Sequence, residues 1–386
     1  MGRHAKHPEK PEKKNGGYKF VKFLTVFLSI ILAVLVSGGG AVAIGVYRLL
    51  HNMQEGPTTT LTYEEQQSLI AEMEAEDQAT SEELEGLEHV EEHELEVHPG
   101  VTKVDKEVEK GVYNFLLLGL DTRDDEYLEN SRTDVNIIVT LDTEKNVIRL
   151  TSLMRDILLP IEGYGQNRIN TINRFKGPDA LVETVEKYTG VPILGYMKVN
   201  FSCVASVVNI LGGVDVELTN AEVNHVNKNL TEHNQRDSKN PTENYLSDPE
   251  GDGGLYHLGG KQAVAYMRIR KLAGGEFGRT ARQRKVLTQV MQDMKEIEMD
   301  EALELITEIS KYMSTNLSKT DLVKYAMMVF NLRGADVVEL NIPADGTYTG
   351  ISYKGMSVWK IDFDENAKII QNFIYGDGSL VPTKNK

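Results

Sequence analysis

Cysteine is almost absent from this chain: Cys203 is the only one in 386 residues. No intrachain disulfide can form, and CxxC redox sites and cysteine-rich zinc sites are excluded. Cys203 falls in an apolar run, 199–211, which predicts a buried and inert thiol. No Walker A sequence is present and no GxGxxG precedes a helix pattern, so the common nucleotide-phosphate loops are excluded. No Ser-His-Asp or Cys-His spacing stands out for nucleophilic catalysis. The nine histidines fall largely near the amino terminus and in two polar stretches, and none is assigned to catalysis. Positive charge is also scarce. Lysine and arginine number 42 against 58 aspartates and glutamates, a formal net charge of −16. From Leu49 to Thr102 there is no lysine or arginine, while fifteen residues are acidic.

The basic residues that exist are unevenly placed. Seven lie in 1–22 (Arg3, Lys6, Lys10, Lys13, Lys14, Lys19, Lys22) against Glu9 and Glu12. Phe23 to Tyr47 then runs without a charge. At about 1.5 Å per residue, such a run crosses a hydrocarbon core of roughly 30 Å with some tilt. The basic flank predicts a cytoplasmic tail and places everything after Arg48 outside. A cleaved signal peptide is the rival reading, with Gly38-Gly39-Gly40-Ala41 as its small residues. An extracytoplasmic chain without disulfides fits a bacterial surface.

The expected organisation is a basic tail at 1–22, a single transmembrane helix at 23–47 and an acidic stalk at 48–110. A domain follows at 111–378, then a tail at 379–386. In the stalk Leu84, Leu87 and Val90 hint at a helical stripe, but apolar content is too low for a core. A solvated spacer is favoured there over a partner-binding helix. Asn114–Leu120 is a continuous apolar run that predicts a strand buried on both faces. Strands are also predicted at 135–141 and 147–153, joined by a turn at 142–146, and at 214–218. Helices are predicted at 179–188, 200–211, 261–267 and 279–297, with two more inside 301–332. The end of the domain reads as one strand, a hairpin around 348–363 and a helix. Residues 227–254 are rich in Asn, Asp and Gly and read as a surface insertion. Strands and helices mix without strict alternation. That predicts an α/β fold, a single domain with a central mixed sheet flanked by helices in an α-β-α arrangement.

Arginines gather just after the predicted strands. If the first two strands form a hairpin, Asp121 faces Asp134 and Arg123 faces Arg132. Like charges directly opposite are unfavourable unless something sits between them. A magnesium diphosphate supplies a cation for the aspartates and an anion for the arginines. The third strand returns to the same edge with Arg155 and Asp156. Surface ion pairing explains any one Arg–Asp pair better, but not the gathering of all of them at strand ends. The second half adds Arg268, Arg270, Lys271, Arg279, Arg282, Arg284 and Lys285 within eighteen residues, offset only by Glu276. Arg279, Arg282 and Gln283 fall on one face of a helix start, a ready anion site. Arg284 and Lys285 point elsewhere and are expected to be solvated. A nucleic-acid patch competes for such a run, but the extracytoplasmic placement and the acidic remainder argue against it.

The segments NFLLLGLDTR, SRTDVNIIVTLD, SLMRD, NRINTINRFKG, LGGVDVEL, HLGGKQAVAYMRIR and FGRTARQRKVL together resemble the LytR-CpsA-Psr family over about 114–287. The resemblance implies a membrane-anchored phosphotransferase of cell-wall assembly. It takes an anionic glycopolymer, such as a teichoic acid or capsule precursor, from a polyprenyl-diphosphate carrier to a peptidoglycan sugar hydroxyl. It also implies an apolar tunnel beneath the sheet with the diphosphate and Mg2+ at its mouth, Mn2+ being the substitute metal. By motif, Asp121 and Asp134 match the metal-site aspartates. Arg132, Arg155, Arg268, Arg270, Arg279 and Gln283 match the diphosphate-binding set, with Arg123 beside them. Asp134, Arg155, Glu276 and Arg279 are the expected catalytic residues, and Arg268, Arg270 and Arg279 are expected to act as one anion clamp. The chain departs from the pattern at Met154, where the family commonly has Pro, and at Glu276, where it commonly has Asp. The expected partners are the lipid-linked glycopolymer, peptidoglycan and the membrane, with no nucleic acid. Two other functions fit less well: a polyprenyl-diphosphate pyrophosphatase using water as acceptor, and a non-enzymatic envelope regulator or transcription attenuator. The attenuator needs a cytoplasmic DNA-binding module, and a tail of 22 residues is too short to fold.

Overall fold

The computed structural model describes residues 78–79, 81–91, 110–120, 131–237, 253–269 and 275–294, most of 297–376, and short pieces at 68, 240, 242–247 and 272. The basic tail, the uncharged run Phe23–Tyr47 expected to span the membrane, Asp121, Arg123, Arg270 and the side chain of Glu276 lie outside the described residues. Among the described residues no helix is long and apolar enough to cross a membrane.

The centre is a six-stranded mixed sheet. Its strands are β2 (Val112–Leu120), β3 (Thr133–Asp142), β4 (Val147–Leu153), β7 (Tyr196–Asn200), β10 (Met313–Thr315) and β11 (Asp336–Ile342), in the order β10-β7-β2-β3-β4-β11. β2 pairs antiparallel with β3 and β3 antiparallel with β4, as the apolar runs and the intervening turn predict. Asn146 closes that turn at φ 53°, a left-handed conformation that asparagine tolerates. β7 lies parallel to β2, and β11 parallel to β4. The carboxyl ends of β2, β4, β7 and β11 therefore share one edge with the start of β3. That edge is where open α/β sheets place their ligands.

Alternation along the strands sends apolar side chains to two cores. On one face Leu116, Leu118 and Ile138 pack with Leu181 and Val185 of α1 (Ile172–Thr189) and with Ile370 and Phe373 of the last helix, Phe363–Tyr375. On the other, Phe115, Ile137, Val139 and Leu150 meet Leu287 and Met291 of the helix Gly275–Asp293 and Tyr325 and Met328 of the helix Lys319–Asn331. The α-β-α layering expected from the sequence is the observed one. α1 begins earlier than its apolar period suggests and kinks at Gly177 (φ 79°), just ahead of Pro178.

A third core flanks the sheet. α2 (Phe201–Ile210), the β8–β9 hairpin (Val214–Thr219 with Gly253–Leu258), α3 (Asn220–Asp237) and α4 (Gly260–Met267) enclose Val208, Val216, Val226, Leu230 and Tyr266. This core leans on Val286 of α5, the helix Gly275–Asp293. The stretch 227–254, read as a surface insertion, thus starts inside a helix. Val223, Val226 and Leu230 supply a buried stripe with helical spacing, and polar residues on the outer face masked it.

Five further strands were not evident in the sequence. β5 (Leu158–Ile161) and β6 (Gly165–Arg168) form a small hairpin after β4. β7 and β10 are short, and β7 alternates its apolar residues with Lys198 and Asn200. Part of the expected stalk is also docked. β1 (Glu88–His89) pairs parallel with β12 (Tyr348–Tyr353), whose hairpin partner is β13 (Met356–Ile361). Val90 packs on Ile351, Tyr353 and Val358, and Ala79 N donates to Gly355 O at 2.8 Å. This part of the acidic segment is not a solvated spacer.

Candidate active site at the strand edge

The register of β2 on β3 slips by one residue at the shared edge. Gly119 pairs with Val135, but Leu120 pairs with Thr133, so Asp134 is the extra residue of a β-bulge. Bulges re-aim side chains next to functional sites. This corrects the expected facing of Asp121 and Asp134 across a regular hairpin, because the bulge takes Asp134 out of one-for-one pairing.

Freed in this way, Asp134 is the centre of a chain of ion pairs. Its Oδ1 accepts from Arg155 Nη1 at 3.0 Å and its Oδ2 from Arg279 Nη1 at 3.1 Å. Arg155 also donates from Nε to Asp156 Oδ2 at 3.3 Å, and Asp156 Oδ1 accepts from Arg168 Nη1 at 2.9 Å. The sequence Arg279–Asp134–Arg155–Asp156–Arg168 thus alternates three cations with two anions. All five side chains are at most 18% exposed, so their interactions are poorly screened. The five members come from four pieces of chain: the start of β3, the stretch just past the end of β4 (Arg155 and Asp156), the end of β6 and the second turn of α5. The local fold fixes them. Asn170 N donates to Arg155 O at 3.3 Å, and Asn173 Nδ2 to Ser131 O at 2.6 Å, beside Arg132.

The structure gathers four of the expected residues. Asp134, Arg155 and Arg279 are joined directly, and Gln283 lines the same small pocket as Asp134, with Asn136, Ser152 and Thr280. Arg132 directly precedes β3 and is half-buried. Arg268 caps α4 and lies over the Phe201 ring, just past the end of β7, at 5.5 Å. Arg282 does not share the anion face. It turns to Glu222 on α3 at 2.9 Å. Burial pushes the Glu222 carboxyl up, but hydrogen bonds from Thr219 and Arg282 bring it below its ordinary value. Arg284, expected in solvent, is instead buried against Glu339 at 3.0 Å. Burial pulls its guanidinium below the ordinary value despite that partner. The expectation for Cys203 holds: burial and the charge of Glu308 push its thiol up to about 12.

Arg168 and Asp156 complete the chain, and Arg168 was not singled out in the sequence. Its signal is an arginine ending a short strand in the segment NRINTINRFKG. Lys198, only 3% exposed on β7 and paired in register with Leu118, is a second buried cation that composition did not reveal. Among the described residues no group of three His, Cys, Asp or Glu side chains is arranged for a metal. The ion chain carries a formal excess of one positive charge. These donors fit an anion first, and a cation only as its companion, sharing Asp134.

On the face of the sheet under the helix Lys319–Asn331, here α6, lies an apolar cavity of about 190 Å3. Phe115, Val139, Leu141, Met197, Tyr325 and Phe330 are among its walls. β3 links the two features, with Asp134 at its start and Val139 and Leu141 toward its end.

Residues 70–373 match the LytR_cpsA_psr family. The chain belongs to that family. Its relatives include the polyisoprenyl-teichoic acid--peptidoglycan teichoic acid transferase TagU of Enterococcus faecalis, 31% identical over 265 residues, covering 68% of this chain and 78% of TagU. The regulatory protein MsrR of Staphylococcus aureus is 26% identical over 301 residues, 76% of this chain and 83% of MsrR. The fold is that of TagT bound to LIIa-WTA, with a TM-score of 0.53 at 24% identity, covering 75% of this chain and 97% of TagT. The LytR_cpsA_psr match starts within the acidic segment and takes in the docked strand β1 and most of the last helix.

Proposed function

We propose that this chain is a membrane-anchored phosphotransferase that moves an anionic glycopolymer from a polyprenyl-diphosphate carrier to a peptidoglycan sugar hydroxyl. The observation that carries the reading is the pairing of a buried, net-cationic chain of arginines and aspartates with an apolar cavity along the same strand. A head that is a diphosphate and a tail that is a polyprenyl chain need these two environments. The transferase names of relatives such as TagU support the same chemistry.

In the reaction a sugar hydroxyl attacks the phosphorus that bears the glycan. A new C–O–P link forms, the phosphoanhydride P–O bond breaks, and polyprenyl monophosphate leaves. Arg155 and Arg279 stabilise charge on the equatorial and leaving oxygens, and Arg132 and Gln283 hold the diphosphate at the mouth. Arg168 and Asp156 keep Arg155 in its orientation. Both Asp134 oxygens already accept from guanidinium groups, so taking the hydroxyl proton competes with those bonds. Glu276 is the other carboxylate for that role. Asp134 and Asp121 are the residues to hold Mg2+ alongside the diphosphate, where it would neutralise phosphate charge. The basic tail and the uncharged run Phe23–Tyr47 support a single pass with the domain outside.

The deciding experiment incubates the purified protein with a defined polyprenyl-diphosphate glycan and peptidoglycan oligomers, with and without Mg2+. A product mass equal to peptidoglycan plus glycan phosphate less one water is expected, together with polyprenyl monophosphate. Free glycan phosphate alone would mean hydrolysis and would overturn the transferase reading.

A further inference from the structure

We propose that Trp359, Tyr348 and Phe277 form a platform for the first sugar ring of the lipid-linked donor. The proposal rests on the phosphotransferase reading and adds where the glycan goes. The three rings touch one another, with centroids 5.1 Å apart for Tyr348–Trp359, 5.2 Å for Phe277–Trp359 and 5.3 Å for Phe277–Tyr348. They come from α5 and from both strands of the β12–β13 hairpin. All three are only half-buried, whereas Ile351 and Val358 on the hairpin's other face are 2% and 1% exposed. One face of the hairpin is thus finished as core, and the aromatic face keeps accessible surface.

Both ends of the cluster are fastened to the ion chain. Phe277 precedes Arg279 by two residues on α5. Trp359 N donates to Asp156 O at 2.9 Å, and Trp359 bridges Ile157. On this reading a sugar bonded to a diphosphate held by Arg155 and Arg279 lies beside these rings. The strand opposite is shaped to admit the indole. Gly350 pairs with Trp359, and a Cβ at Gly350 would sit 3.0 Å from Trp359 Cζ3 and 3.2 Å from Leu87 Cδ2.

The chemistry suits a pyranose. The C–H face of such a ring is apolar and slightly positive, and it packs on aromatic faces, which are negative. Its hydroxyl edge needs a few polar partners. Asp345 is near enough for its charge to act on Tyr348. The polyprenyl chain is a poor competitor for this place, because Phe277 and Trp359 pack with the core on the sheet face opposite the apolar cavity.

Trp359 is the only tryptophan in the chain, so its fluorescence reports on the platform alone. The test titrates the full chain in detergent micelles with polyprenyl diphosphate, and separately with polyprenyl-diphosphate N-acetylhexosamine. The sugar-bearing lipid is expected to shift the emission and protect it from acrylamide quenching, and the bare lipid to bind with little of either. Tyr348→Leu keeps the reporter, and Trp359→Phe keeps a ring; each is expected to weaken only the sugar-bearing lipid, up to about tenfold. Equal fluorescence responses to the two lipids, or equal losses of affinity for both in the variants, would overturn the platform while leaving the diphosphate site standing. Failure of both lipids to bind would overturn this proposal together with the reading beneath it.

Discussion

Asp134 meets Arg279, 145 positions further along the chain, at 3.1 Å, with the arginine side chain only 2% exposed. A cation buried to that degree depends on its partner, and removing one member of such a pair costs about 3–5 kcal/mol. The expected clamp of Arg268, Arg270 and Arg279 implied arginines that repel one another in the free protein. At Arg279 the fold supplies its own counter-charge. Arg279→Ala and Asp134→Asn are therefore expected to lower unfolding stability by about 3–5 kcal/mol, as well as to weaken diphosphate binding. Urea denaturation checks this, and an unchanged midpoint in both variants would rule out a structural share for the pair.

Arg168 is expected to act through Asp156 on Arg155 and not by touching the ligand. Arg168→Lys keeps the charge but loses the planar fork that fixes Asp156. Affinity for a polyprenyl diphosphate should fall by about tenfold, the scale of one charged hydrogen bond. Calorimetric titration of the variant beside Arg155→Lys measures it. A far larger loss in Arg168→Lys than in Arg155→Lys would place Arg168 on the ligand itself.

The cavity under α6 should read the length of the lipid. Ala326 lines it, and Ala326→Phe puts a ring into the space. Binding of a long polyprenyl diphosphate is expected to weaken at least tenfold, at about 25 cal/mol per Å2 of apolar surface left unburied. Inorganic diphosphate should bind as before. If the long lipid were unaffected, it would lie elsewhere.

The Glu222–Arg282 pair predicts an acid-sensitive contribution to stability. The carboxyl lies below its ordinary value of 4.5 in the folded protein. A depressed carboxyl stabilises the fold above its unfolded value, and that gain is lost as pH falls through the folded value. Glu222→Gln should thus melt below the parent at pH 7, with the two curves converging below about pH 4. Parallel curves at every pH would show that the charge contributes nothing.

The proposed topology is checked by protease added outside spheroplasts. The domain beyond Arg48 should be degraded and the tail before Phe23 retained. A protected domain would reverse the orientation.

What the sequence made legible follows from periodicity and from strand ends. The apolar runs of β2, β3 and β4 announced a sheet buried on both faces, and the arginine after β4 marked its working edge. The bulge at Asp134 was not legible, because a one-residue slip leaves alternation intact on both sides. Arg282 and Arg284 were misdirected for a related reason. Spacing tells which residues share a helix face, but only packing tells what that face meets, here Glu222 and Glu339. Arg168 was hidden by its short strand, and β1 by a composition in which two or three apolar contacts are enough to dock an otherwise acidic segment.

The parallel pairing of β1 with β12 has a practical consequence. β12 lies between β1 and β13, and among the described residues β1 is the strand that pairs with its outer side. A chain begun at Val112 would strip that cover from Ile351 and Ser352 and leave a bare edge next to apolar side chains. Such edges recruit strands from other molecules. Self-association of such a shortened chain would then report a missing strand and not a natural oligomer, and a start ahead of Gln78 avoids the artefact.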